Sequence, residues 1–254
     1  MTGKRASDVI AAIVPIVRTE AIALVVVAVV AGFAAVLVAV ADAAANDSSH
    51  AFDFAVLRAL HPGPDPRDPI GPAWFDRAAA DFTSLGSVSV VVTVTLVVGG
   101  FLILHRRSLE AVLLALALGS ALAISEGLKS FFGRERPPDI YRAAEALNPS
   151  FPSGHALLSA ALYLSLGAML ARATSNRSTR VYIMTVAILI TLLVGATRVY
   201  LGVHWASDVL AGWCIGAAWA MVFWLVERWA RERLSGRRGM RQPPDGPRRT
   251  STTS

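Results

Sequence analysis

His204 and Asp208 stand four residues apart in Thr197-Arg198-Val-Tyr-Leu-Gly-Val-His204-Trp-Ala-Ser-Asp208. On a helix, that spacing puts both side chains on one face. A carboxylate bonded to one imidazole nitrogen fixes the tautomer and leaves the other as a lone-pair nucleophile. Arg198 lies upstream, and Gly202 in the gap permits a turn before His204. A His–Asp pair that only stabilises a helix start is the plainer account of the same spacing.

Two further clusters carry charge or anion-binding geometry. In Lys129-Ser-Phe-Phe-Gly-Arg-Glu-Arg136-Pro137, Gly133 and Pro137-Pro138 break a helix, so Arg136 can fold back beside Lys129. A point charge and a planar fork together suit a phosphate. The bland alternative is a pair of snorkelling side chains at a helix end. In Pro152-Ser153-Gly154-His155, Ser153 is a candidate N-cap and Gly154 allows close backbone approach. The unpaired N–H groups of a first helical turn bind phosphate, and His155 there is placed to pass a proton. An ordinary Ser-capped helix is again the alternative.

The elements that hold these residues follow from composition. The chain has 254 residues, 54% hydrophobic and only 17% charged, with a net charge of +6. Its mean hydropathy is +0.53. A soluble domain carries roughly 25% charged residues, and a disordered chain needs high charge with few apolar groups. Both classes are excluded. The single Cys214 forms no intramolecular disulfide. Six apolar segments approach the roughly 20 residues that cross a bilayer: 21–41, 85–104, 109–128, 155–171, 181–197 and 207–226. Glu126 and Lys129 are too costly for mid-membrane lipid and belong at an interface. Lys4 and Arg5 give the first segment a signal-like start, but its apolar stretch exceeds a signal core of about 7–15 residues. It reads as a retained anchor.

Charge orients the bundle. With the N-terminus in the cytoplasm, six spans leave sixteen of the 24 Lys and Arg residues on the cytoplasmic side and eight outside. This divides the chain into a cytoplasmic segment 1–20, a six-span domain 21–227, and a basic, disordered cytoplasmic tail 228–254. The tail reads as a topology determinant, with contact to anionic lipid as the functional alternative. No motif supports nucleic-acid binding. The outer loop 42–84 is punctuated by His61-Pro-Gly-Pro-Asp-Pro. Phe52, Phe54, Val56, Leu57 and Leu60 suggest one interfacial helix within it, and Trp74 and Phe75 another. The sequence carries no signal for oligomeric state.

Four of the eight outer basic residues crowd between 129 and 142, against the positive-inside trend, which suggests a bound anion. The three clusters all fall on the same outer face, under a topology deduced from other residues. Three cations, two histidines and one carboxylate then converge. Metal sites for phosphate chemistry usually need several carboxylates. Here Lys129, Arg136 and Arg198 stand ready to neutralise phosphate directly, so the expectation is no metal and no cofactor.

Lys129 with six residues to Arg136-Pro137, then Pro152-Ser153-Gly154-His155, then Arg198 with five to His204 and three to Asp208, resembles the three-part signature of the type-2 phosphatidic acid phosphatase superfamily. One departure is Thr197, where that family usually has serine. The resemblance implies an all-α integral-membrane six-helix bundle with its active site at the outer face of the inner (plasma) membrane. It implies a metal-independent lipid phosphatase in which His204, oriented by Asp208, attacks phosphorus and forms a phosphohistidine. His155 protonates the leaving oxygen. Lys129, Arg136, Arg198 and the backbone near Ser153 and Gly154 hold the phosphate. Implied substrates are undecaprenyl diphosphate, phosphatidylglycerol phosphate or phosphatidic acid, the first favoured because its recycling occurs on this face. A lipid-phosphate transporter and a vanadate-dependent haloperoxidase are the alternatives from other classes.

Overall fold

The computed structural model describes residues 50–142 and 148–239. The expected first span at 21–41 and the tail from residue 240 lie outside the described residues. Among the described residues, seven α-helices follow one another: α1 His50–Leu60, α2 Ala73–Ser84, α3 Val88–Leu104, α4 Ser108–Phe132, α5 Gly154–Arg172, α6 Arg177–Tyr200 and α7 Ala206–Gly239. A 3-10 turn, Asp139–Tyr141, lies between α4 and α5, and no strand occurs among the described residues.

Local chemistry sets the helix ends. Ser87 caps α3 by accepting from Val90 N, Ser153 caps α5 by accepting from Ala156 N, and Asn176 caps α6 by accepting from Ser178 N and Thr179 N. Gly133, at φ 57°, closes α4 in a left-handed conformation that favours glycine.

Helices α4, α5, α6 and α7 are each long and apolar enough to cross a membrane. A further span is available if α2 and α3, bent by 49°, are taken as one. Their outward faces carry exposed apolar residues such as Leu96, Phe101, Leu116, Leu189 and Leu192, a surface suited to lipid. Five of the six expected segments therefore appear as helices. The connection expected to form the outer loop, 42–84, contains the two expected short helices, α1 and α2. The last helix does not stop at residue 227 but continues to Gly239, so the first part of the expected disordered tail is helical.

Helix α5 is central. Its residues Ala156–Leu162 are buried without a break, and it packs against both α6 and α7. Gly212 and Gly216, one turn apart on α7, allow that contact. A Cβ on Gly212 would lie 2.7 Å from the Ser153 carbonyl oxygen, and one on Gly216 would lie 2.3 Å from that of Leu157. Small residues let membrane helices approach this closely. The approach brings the first turn of α7 onto the first turn of α5, where Ser153 N donates to the Asp208 carbonyl at 3.0 Å.

The far end of the bundle is held by charge. Buried Glu110 and Glu227 pair with Arg107, Arg172 and Arg231, joining the start of α4, the end of α5 and the distal part of α7.

Candidate active site

Lys129 projects from the last turn of α4, and its Nζ donates to Glu126 Oε1 at 2.7 Å. A Cβ on Gly154 would sit 3.4 Å from that Nζ and 3.3 Å from Ser125 Oγ. The bare glycine therefore lets the amine lie over the start of α5. Ser153 is fully buried, and its hydroxyl caps α5. Its own N–H is taken by Asp208, which leaves the amides of Gly154 and His155 as the open donors of that turn among the described residues.

Arg136 reaches across to the α6–α7 connection. Its Nε donates to Asn148 O at 2.7 Å, and its Nη1 donates to Val203 O at 2.7 Å and to His204 Nε2 at 3.2 Å. Arg198, in the last turn of α6, donates from Nη1 to Thr83 Oγ1 at 3.3 Å, which ties α6 to α2. The Arg198 Nε is buried without a partner among the described residues. Lys129, Arg136, Arg198 and His204 all lie within electrostatic reach of the His155 ring. The bend between α2 and α3 packs against the His155 backbone, since a Cβ on Gly86 would stand 2.9 Å from His155 O and 3.2 Å from His155 Cβ.

His204 sits in the connection between α6 and α7. Gly202, at φ 64°, turns the chain there, and a Cβ on it would strike Tyr141 O at 2.1 Å. The imidazole Nδ1 lies 3.5 Å from Asp208 Oδ2, a long contact. Arginine only donates, so the nitrogen facing Arg136, Nε2, carries the lone pair and Nδ1 carries the proton. Burial holds the His204 pKa down to about 4, below its usual 6.5. The Asp208 carboxylate works against that shift, and the Arg136 and Arg198 guanidiniums add to it. Burial likewise lowers the Arg136 guanidinium from its ordinary value.

The site thus brings together Lys129, Arg136, His155, Arg198, His204 and Asp208, with Ser153 and Gly154 forming the helix start beneath them. Sequence reasoning missed Asp53, Arg134, Ser207 and Thr83. Arg134 Nη1 bonds Asp208 Oδ1 at 2.6 Å and Nη2 bonds Asp53 Oδ2 at 2.7 Å. Ser207 donates to Asp53 from both its amide and its hydroxyl. The available signal was an acid, Asp53, set between Phe52 and Phe54 in an apolar run. Among the described residues, no three His, Cys, Asp or Glu side chains gather as a metal-ion set.

Residues 110–232 match the PAP2 superfamily. A phosphatidylglycerophosphatase B of Bacillus subtilis (strain 168) is 31% identical over 157 residues, which are 61% of this chain and 74% of that protein. The chain belongs to the PAP2 superfamily. An undecaprenyl-diphosphatase of Sulfolobus acidocaldarius is 32% identical over 121 residues, 46% of this chain and 54% of that protein. The solved structure of a transmembrane PAP2-type phosphatidylglycerolphosphate phosphatase from Bacillus subtilis fits with a TM-score of 0.70 and 25% identity, covering 80% of this chain and 96% of that one. Aquifex aeolicus LpxE shares the fold at a TM-score of 0.50 and 23% identity, covering 67% of this chain and 93% of that one. This PAP2 protein is therefore a hydrolytic enzyme, a phosphatase, with several membrane-spanning helices. All eight nominated residues fall inside the PAP2 match, whereas Asp53 and the rest of α1 precede it.

Proposed function

We propose that this PAP2 phosphatase hydrolyses a lipid phosphate or diphosphate at the outer face of the inner (plasma) membrane, with both termini in the cytoplasm, through a phosphohistidine on His204. The observation that carries the reading is the orientation of His204, with Nε2 facing Arg136 and Nδ1 facing Asp208. Lys129, Arg136 and Arg198 take the phosphoryl oxygens, joined by the amides of Gly154 and His155. The buried Arg198 Nε gains a partner when phosphate arrives. Arg136 shifts its Nη1 from Nε2 to a phosphoryl oxygen, and this frees the nucleophile as the anion binds.

Nε2 then attacks phosphorus in line, forming the N–P bond as the P–O bond to the lipid breaks. His155 gives its proton to the leaving oxygen. In the second half, water attacks phosphorus, His155 takes the proton, and the N–P bond breaks. Three fixed cations stabilise the charge that develops at phosphorus.

An apolar cavity of about 490 Å3 supports a lipid substrate. It is lined by residues that include Phe52, Val56, Phe82, Thr197, Val199 and Val209, and so adjoins Arg198 and Asp208 in sequence. The named relatives act on lipid phosphates or diphosphates. Undecaprenyl diphosphate, phosphatidylglycerol phosphate and phosphatidic acid are the substrates to try, with the diphosphate favoured for its better leaving group. The test is phosphate release from this panel in detergent with chelator present, comparing wild type with His204→Ala. The reading expects turnover by wild type with chelator and none by the variant. Phosphate release by His204→Ala contradicts it.

A further inference from the structure

We propose that Arg134 and Asp53 form a positioning pair that holds Asp208, and through it the His204 imidazole, in working geometry. The proposal rests on His204 acting as the nucleophile. Neither residue of the pair touches the phosphate in that scheme.

The geometry is that of one planar fork spanning two buried acids. Arg134 Nη1 lies 2.6 Å from Asp208 Oδ1, and Nη2 lies 2.7 Å from Asp53 Oδ2. The Arg134 side chain is 8% exposed and both carboxylates are 0% exposed. The guanidinium carbon stands 5.8 Å from the Trp205 ring centroid. Ser207 closes the figure. Its hydroxyl accepts from Arg134 Nη1 at 2.8 Å and donates to Asp53 Oδ2 at 2.6 Å, while its amide donates to Asp53 Oδ1 at 2.9 Å. Three separate elements meet here: α1 through Asp53, the loop after α4 through Arg134, and the first turn of α7 through Ser207 and Asp208.

The arrangement has a chemical consequence. With Oδ1 held by Arg134, Asp208 turns Oδ2 toward Trp205 N at 3.0 Å and His204 Nδ1 at 3.5 Å. Buried ion pairs are poor sources of stability but can specify one geometry. Arg134 also draws on the Asp208 charge, which leaves less of it to attract a proton to His204. Other charged and titratable groups around His204 are Arg136 from the loop after α4, Arg198 from α6 and His155 from α5. Loss of Arg134 strengthens the pull of Asp208 on the imidazole and raises its proton affinity. Loss of the Asp53 charge does the opposite, because Arg134 then serves Asp208 alone.

The experiment measures kcat and KM across pH for phosphate release from a short-chain phosphatidic acid, using monodisperse full-length protein in detergent. Arg134→Gln should lower kcat by about 10–100-fold, the scale known for losing the partner that orients a metal-bound histidine. KM should change much less. The acid limb of kcat/KM should move up by about one pH unit. Arg134→Lys, a charge without a fork, should recover only part of the loss. Asp53→Asn keeps the contact from Ser207 N and should move the acid limb down. A purely structural role does not produce opposite shifts from the two variants. Folded Arg134→Gln and Asp53→Asn with the wild-type kcat and acid limb overturn the proposal, as does lost thermal stability with both quantities unchanged. Should Arg134→Gln not fold, Asp53→Asn decides alone by the same criterion. Turnover by His204→Ala removes the nucleophile reading and this proposal with it. An inactive His204→Ala beside variants that behave as wild type removes this proposal only.

Discussion

Arg136 Nη1 donates a 3.2 Å hydrogen bond to His204 Nε2. A guanidinium has no lone pair to offer, so this contact assigns the imidazole tautomer by itself. It also places a cation beside the nitrogen that meets phosphorus in the proposed reaction. The same guanidinium is fixed by the carbonyl oxygens of Asn148 and Val203. Lysine at this position keeps the charge but loses the fork. Arg136→Lys should therefore lower kcat/KM by about 10–100-fold, the equivalent of about 1.5–3 kcal/mol for one charged hydrogen bond. Steady-state phosphate release checks this, and wild-type kcat/KM in the variant contradicts it.

The pH dependence has a definite sign. Protonation removes the His204 lone pair, and in the folded protein this occurs near pH 4 rather than at the usual 6.5. The proposed nucleophile should stay competent as pH falls from 7 to 5, with kcat/KM declining from this cause only near pH 4. The folded state binds fewer protons than the unfolded chain in this interval. The stability contributed by the group is thus fully present above about 6.5 and is lost as pH falls toward 4. A kcat/KM profile corrected for the substrate's own titration measures the limb. A limb at 6.5 contradicts the buried, neutral imidazole.

Gly216 tests the packing that brings α7 to α5. Its missing Cβ would sit 2.3 Å from a backbone oxygen, which no side-chain rotation can relieve. Gly216→Ala should cost about 1–3 kcal/mol through forced separation of the helices. The midpoint of thermal unfolding in detergent reads the loss. An unchanged midpoint contradicts the close approach.

The sequence made the span helices readable because burial in lipid leaves long apolar runs with charge only at their ends. The three clusters were readable because Gly133, Ser153 and Gly202 mark helix ends, and helix ends carry the chemistry. The path of Arg136 was not, since its partners Asn148 and Val203 offer only backbone oxygens, which no residue type advertises. Asp53 stayed hidden for a related reason. An acid in a short apolar run looks like a solvated residue until the fold buries it against Arg134 and Ser207. The continuation of α7 to Gly239 was masked by its composition, because a run of arginines reads as a tail even when the helix carries on.

The most direct measurement is a rapid-quench search for phosphate covalently held by the enzyme. Wild-type protein mixed with a lipid phosphate labelled in its phosphoryl group should yield acid-labile, base-stable label on His204, located by peptide mass spectrometry, with none on His204→Ala. Turnover without label on His204, or phosphate release by His204→Ala, would contradict the account.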